Sequence, residues 1–315
     1  MAMVSGCRAL RRGVCGMLYR SGIGIPYRPA PVFDIMDRRY HFVRGNVCRS
    51  DLFLLPRSSF RGAGNMVTMT DQFPEIIYED EDILAVNKPA GMIVHGVAGR
   101  RSTEPTLADL LSARYPEIKN VGDDPALRPG IVHRLDKDTS GVMLIARNQK
   151  SFAYLKSLFQ NRDIIKTYAA AVAGVPSPSR GVIDRPIGIV TGTTKRSVRS
   201  EKMAKPAVTE YEVLKTAEAT DGFGRMAPFS LLSVRPKTGR THQIRVHLAS
   251  TGHQIVGDPL YGPKKQPAWA GRLMLHASSI EFSDRSGRRL RFTAELPRVF
   301  TDVFSDVRMP GDVAS

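Results

Sequence analysis

The sequence predicts an α+β fold. Strand-like apolar runs outnumber amphipathic helical segments, and the two do not alternate regularly, which argues against a doubly wound sheet. A hydrophobic content of 42% over 315 residues is enough to bury a sizeable core. In chain order, Ile76–Tyr78 and Ile83–Val86 read as two short strands around the acidic turn Glu79-Asp80-Glu81-Asp82. Thr106 caps a helix, with Asp109 three residues on approximating a capping box. Leu107, Leu110, Leu111 and Tyr115 form the apolar face of that helix. Val142–Ala146 is an unbroken apolar run of strand length, and Phe152, Leu155, Leu158 and Phe159 mark a second amphipathic helix. Tyr168–Val172, Ala207–Val213, Phe229–Val234, Leu273–Phe282 and Leu290–Ala294 read as further strands. Thr241–Ser250 reads as a helix with Thr241 as its N-cap.

Charge is distributed unevenly. Lys plus Arg is 46 against 30 Asp plus Glu, a net charge of +16. Such a balance favours a polyanionic partner, with nucleic acid first. Residues 1–70 hold 11 Arg, no Lys and three Asp, a net +8, together with all three cysteines. The body therefore has no thiol nucleophile or thiolate metal site, and three cysteines cannot form a disulfide framework. No apolar run approaches the roughly 20 residues of a membrane-spanning helix. The chain divides into an Arg-rich N-terminal extension, 1–71, expected to be disordered, a folded body, 72–300, and a tail, 301–315. The extension reads either as a mitochondrial transit segment or as an upstream stretch preceding a start at Met66 or Met69. The second reading is preferred, which gives a cytoplasmic protein; the first gives the mitochondrial matrix.

Two polar clusters stand out. The first is His133-Arg134-Leu135-Asp136-Lys137-Asp138-Thr139-Ser140-Gly141, set against the apolar run 142–146. Ionisable groups beside a buried strand are expensive unless paired. Its opening matches a calcium loop, but Arg147 stands where the bidentate Glu is needed, so calcium is rejected. The second is the stretch from Arg235 to His247, whose Thr238-Gly239 turn leads into the last helix. Free backbone N–H groups and four cations suit an anion. Neither a phosphate-binding P-loop nor a zinc-protease spacing is present. The polar segment Thr191–Lys205 carries Lys195, Arg196, Arg199, Lys202 and Lys205 against Glu201 alone. It reads either as a solvated loop or as a gripper of phosphates.

Together the clusters resemble the RluA family of RNA pseudouridine synthases. The 133–141 segment is similar to the family signature, Lys166-Thr167-Tyr168 to its second motif and Thr238–His247 to its third. Val256-Gly257-Asp258-Pro259-Leu260-Tyr261-Gly262 and Leu275-His276-Ala277 match later segments, in the right order from about Pro74 to Pro297. The segment Lys202–Thr209 looks most like the large-subunit rRNA branch. Residues 1–70 do not look like the S4 domain of its best-known members, which keeps tRNA as a second target class.

The resemblance implies a bent, mainly antiparallel central sheet with flanking helices and an RNA-binding cleft. It implies isomerisation of uridine to pseudouridine; separately, a monomer is expected. It puts Asp136 on the catalytic aspartate, Tyr168 on the tyrosine that packs against the base, and Arg245 on the arginine that pairs with the aspartate. Arg134 falls on the residue inserted where the base has left the stack. His133, Lys166, Arg240, His242, Lys195, Arg196 and Arg199 are the expected RNA contacts. The product is an isomer, so no cofactor or metal is expected. Two competing classes are a non-catalytic RNA-binding or assembly protein and an RNA-cleaving enzyme using His133, His242 or His247 as acid and base.

Overall fold

The computed structural model describes residues 73–96, 104–307 and 309–310. The expectations for residues 1–71 lie outside these described residues. The body is built on a nine-stranded sheet. Its strands are β1 (Glu75–Glu79), β2 (Ile83–Lys88), β3 (Ser140–Ala146), β4 (Ile165–Ala173), β5 (Arg180–Asp184), β8 (Val208–Thr220), β9 (Met226–Pro236), β10 (Leu275–Ser283) and β11 (Arg289–Thr293). A separate two-stranded hairpin, β6 (Gly188–Ile189) and β7 (Arg196–Ser197), stands off the sheet. The helices are α1 (Leu107–Arg114), α2 (Gln149–Asn161), α3 (Gln243–Ser250) and α4 (Arg298–Thr301), with a 3-10 turn at Pro116–Asn120.

The sheet order is β1-β2-β3-β10-β4-β9-β8-β5, with β11 also on β10. Every pairing in it is antiparallel except β3 with β10. That exception joins the two halves of the protein. His276 pairs with Ser140 and Ala277 with Gly141. Gly141 has φ +116°, and a Cβ there would lie 2.2 Å from the Ala277 carbonyl oxygen. Only glycine allows the first motif to run this close to β10.

β3 is buried along its whole length, which is why its sequence is a continuous apolar run and not an alternation. One core packs β1, β2, β3, α1 and α2; a second packs β4, β9, α3, the 255–275 connection and the C-terminal segment. Tyr168 on β4 touches both. The capping box at Thr106 is complete: its hydroxyl accepts from Asp109 N at 3.3 Å, and the Asp109 carboxylate accepts from Thr106 N at 2.8 Å.

Three expectations are corrected. α3 starts one residue later than read: its N-cap is His242, not Thr241, with φ 57° and no side-chain cap. The Gln243 side chain folds back instead, its Oε1 accepting from Arg240 N and from the Thr238 hydroxyl. The segment 191–205 is not wholly loop, because Arg196–Ser197 pairs with Gly188–Ile189. A boundary at residue 300 falls inside the folded body. Phe300 and Phe304 are fully buried in the second core and Met309 nearly so.

Candidate active site

A cavity of about 510 Å³ opens at the junction of the two halves. Its lining includes His133, Arg134, Asp136, Lys166, Tyr168, Arg240, His242 and Arg245. Residues from three distant stretches of sequence thus meet in one place. Lys195, Arg196 and Arg199 do not line it; they lie on the β6–β7 hairpin, with Lys195 and Arg199 exposed.

The first stretch is held by side chains at His133 and Ser140 and by the Lys137 carbonyl between them. His133 Nε2 accepts from Leu144 N at 2.9 Å, and its ring stacks on Phe159 at 4.6 Å. Burial, with Lys166 nearby, pushes this imidazole down to about 3, so it is neutral at physiological pH. Its nitrogen is spent inside the fold. The Lys137 carbonyl accepts from Gly91 N and from the ammonium of Lys88, each at 2.9 Å. Lys88 is completely buried and also donates to the carbonyls of Pro89 and Met92. Burial brings its pKa down to about 7. Ser140 Oγ meets His276 Nδ1 at 2.8 Å, at the β3–β10 junction itself. These contacts fix the loop that presents Asp136.

The Asp136 side chain is one quarter exposed and Oδ2 accepts from Arg245 Nη1 at 3.1 Å. Arg245 comes from α3 and is nearly fully buried. Its Nε and Nη2 bind the two oxygens of Asp258 at 2.7 and 2.8 Å. Asp258 Oδ1 also accepts from Leu260 N and Tyr261 N. Burial works to raise the Asp258 pKa, but Arg245 and these amides prevail and hold it below the usual carboxylate range. Burial opposes the charge on Arg245 as well, and the two carboxylates overcome it, raising its pKa.

Two carboxylates therefore share one guanidinium unequally. Asp258 takes the short bidentate pair and has no exposed side-chain surface. Asp136 takes a single longer bond and keeps its remaining lone pairs toward the cavity.

His242 Nε2 stands 3.9 Å from Asp136 Oδ2, too far for a hydrogen bond. The left-handed backbone at His242 delivers this ring. A non-glycine residue there costs on the order of 1 kcal/mol or more and marks a constrained site. Burial lowers its pKa. Tyr168 sits mid-strand, opposite Ala277 on β10 and Val234 on β9. Burial first, and the charge of Asp136 second, raise its pKa, so the phenol stays protonated. Burial also lowers the pKa of Lys166. Arg134 is exposed at the rim, with Nη1 3.3 Å from His95 Nε2. Arg240 Nε donates to the Pro206 carbonyl at 3.1 Å.

His247 lies outside the cavity: Nδ1 meets the Thr209 hydroxyl at 2.8 Å and Nε2 the Arg185 carbonyl at 3.0 Å. Sequence reasoning gave no role to Asp258, Tyr261 or Lys88. Asp258 and Tyr261 stood inside a matched segment. For Lys88 the signal was a lysine ending an apolar strand just before Pro89-Ala90-Gly91. Among the described residues no group of three or more His, Asp or Glu could hold a metal ion, and no helix is long and apolar enough to cross a membrane.

The family described as RNA pseudouridylate synthase matches residues 82–250. The uncharacterized RNA pseudouridine synthase YlyB of Bacillus subtilis (strain 168) is 36% identical over 79% of this chain and 81% of its own length. The ribosomal large subunit pseudouridine synthase D of Zymomonas mobilis is 38% identical over 71% of this chain and 69% of its own. The solved structure of human RNA pseudouridylate synthase domain containing 4 superposes with a TM-score of 0.56 at 29% identity, over 75% of this chain and 94% of that one.

Proposed function

Because the chain belongs to the RNA pseudouridine synthase family and so is an isomerase acting on uridine in RNA, we propose that Asp136 is its catalytic carboxylate, oriented by Arg245 and faced by Tyr168. The observation that carries this reading is the unequal sharing of Arg245. One carboxylate, Asp258, is saturated and buried; the other, Asp136, is paired with the same cation by a single bond yet still reachable from the cavity.

The reaction needs a group of that kind. Breaking the N-glycosidic bond builds positive, oxocarbenium-like character at C1′. The Asp136 carboxylate stabilises that charge or captures it covalently. The freed uracil, anionic at N1, then rotates; C5 joins C1′, breaking any Asp136–C1′ bond, and the C5 proton is lost to water while N1 takes up a proton. Tyr168 gives the rotating base a flat wall. Burial holds its phenol protonated in the free protein. The target nucleotide must leave its stack at a cost of a few kcal/mol. Arg134 at the rim fills the vacated space, and Lys166, Arg240 and the hairpin cations offset the cost through phosphate contacts.

We read the target as large-subunit rRNA, supported by the likeness to the Zymomonas mobilis enzyme named for that subunit, with tRNA second. The test is tritium release from RNA labelled at uridine C5, taken from cells lacking the enzyme. Asp136→Ala should lose at least ~1000-fold in turnover, about 4 kcal/mol of barrier, while still binding RNA. Full turnover in that variant would end the assignment. Mapping the modified position then names the RNA.

A further inference from the structure

The cationic β6–β7 hairpin and the site are joined through one side chain. The Tyr261 hydroxyl accepts from the backbone N–H of Arg196, in the hairpin, at 2.8 Å. The same hydroxyl lies 2.9 Å from His242 Nδ1. The Tyr261 ring sits 5.2 Å from the guanidinium carbon of Arg245 and packs, with Val198 of the hairpin segment, on Ile187, Ala207 and Val246. Its own backbone is pinned by Asp258.

The carboxylate facing His242 sets the direction of these contacts. A phenol has one proton to give. Arg196 N donates into the oxygen, which has a second lone pair open to an Nδ1–H as well; because His242 Nε2 faces the Asp136 carboxylate, we assign the imidazole proton to Nε2 and the phenolic proton to Nδ1. Nδ1 is then the acceptor, and the imidazole is held neutral with its proton on Nε2, the nitrogen facing Asp136.

We propose that Tyr261 is a positioning residue that ties RNA capture by the hairpin to the placement of His242 beside Asp136, an inference that rests on the reading of Asp136 as the catalytic carboxylate. The hairpin turn and the segment after it present Lys195, Arg199, Lys202 and Lys205 to solvent, a surface suited to backbone phosphates. Its register against the cavity is set at Arg196, and Tyr261 reads that register out at His242. A correctly seated RNA thus finds the catalytic side already oriented, and the coupling needs no contact between Tyr261 and the substrate.

Tyr261→Phe, made in the full chain, keeps the ring and its packing and removes only the hydroxyl. Three readouts apply. Hydrogen exchange at the Arg196 amide should quicken about tenfold, since that donor loses its acceptor. The 15N spectrum of His242 should change from one Nε2–H tautomer to a mixture. KM for RNA should rise about 5- to 10-fold, with kcat changing less than KM. Unchanged exchange together with an unchanged His242 spectrum, or an unchanged KM, overturns the proposal. An Nδ1–H pattern for His242 in the unaltered protein overturns it without any variant. The exchange and tautomer readouts need no turnover. Failure of the Asp136 assignment, seen as activity retained in Asp136→Ala, is therefore distinguishable from failure of this coupling.

Discussion

In the half of the sheet made by β1, β2 and β3, the motif 133–141 is tied down from outside. His133 takes Leu144 N, the Lys137 carbonyl takes Lys88 and Gly91, and Ser140 meets His276. In the half made by β4, β8, β9 and α3, the motif side chains bind one another and β8. Gln243 bonds Thr238, Arg240, Val208 and Thr209, His247 bonds Thr209, and Arg245 bonds Asp258. The first half is a rigid mount for one side chain left over, that of Asp136; the second is a dense network whose spare valence is one Nη1 of Arg245. The two leftovers meet at 3.1 Å. Polar density marks a site, but most of that density is scaffold, and the reacting group is the one the scaffold leaves unsaturated.

The two aspartates on Arg245 give the sharpest way to break this comparison. Asp136→Ala should abolish turnover and shift stability by less than about 1 kcal/mol, since it removes a single bond to a part-exposed carboxylate. Asp258→Ala should do the reverse in stability, costing about 3–5 kcal/mol by stranding a buried guanidinium. It should lower turnover as well, because Arg245 loses its aim. Denaturant melts paired with tritium release decide the matter. If Asp258→Ala proved as stable as the parent, the network half would not be built on that pair.

How much of this was legible in the sequence follows from the same division. Both motifs announced themselves by ionisable residues crowded beside apolar runs, and the strands that bury both faces were readable as such. The edge strand β5 was not: it is five residues long, pairs only with β8 and exposes Val182, so it carries no burial pattern to read. The extent of β8 past Val213 was missed because its outer end alternates half-buried and exposed positions around a bulge. The start of α3 was misread because a side-chain staple from Gln243 replaced the expected threonine cap. Asp258 lay in a recognised segment, yet nothing local says that an aspartate 13 residues past an arginine will bind it. That pairing is a product of the fold.

The mount can be probed by acid. His276 is fully buried between Ser140 and the Ala294 carbonyl, and burial lowers its pKa from 6.5 to about 4. The unfolded chain takes up this proton first as pH falls. Its contribution to stability is therefore whole above pH 6.5, declines between 6.5 and about 4, and is gone below, a loss of about 3 kcal/mol. His133 has the same sign over a wider window, down to about 3. Melts across pH 4–7 should show the decline, and His276→Gln should flatten it without abolishing it. An equal slope in the variant would mean that His276 is not held neutral.

The smallest effect belongs to the hairpin, whose cations do not line the cavity. Lys195 and Arg199 are exposed, and neither is in a salt bridge among the described residues. Replacing both by Ala should leave the melting temperature unchanged and weaken RNA binding several-fold at moderate salt. The more telling quantity is the salt dependence. Each phosphate contact contributes about 0.7–0.9 to the slope of log K against log salt, so the double variant should be shallower by about 1–2. kcat at saturating RNA should stay within about twofold, because phosphate contacts position the strand and the chemistry belongs to the cavity. An unchanged slope would return the hairpin to a solvated surface feature. A fall in kcat at an unchanged slope would place its cations nearer the reacting base than the geometry does.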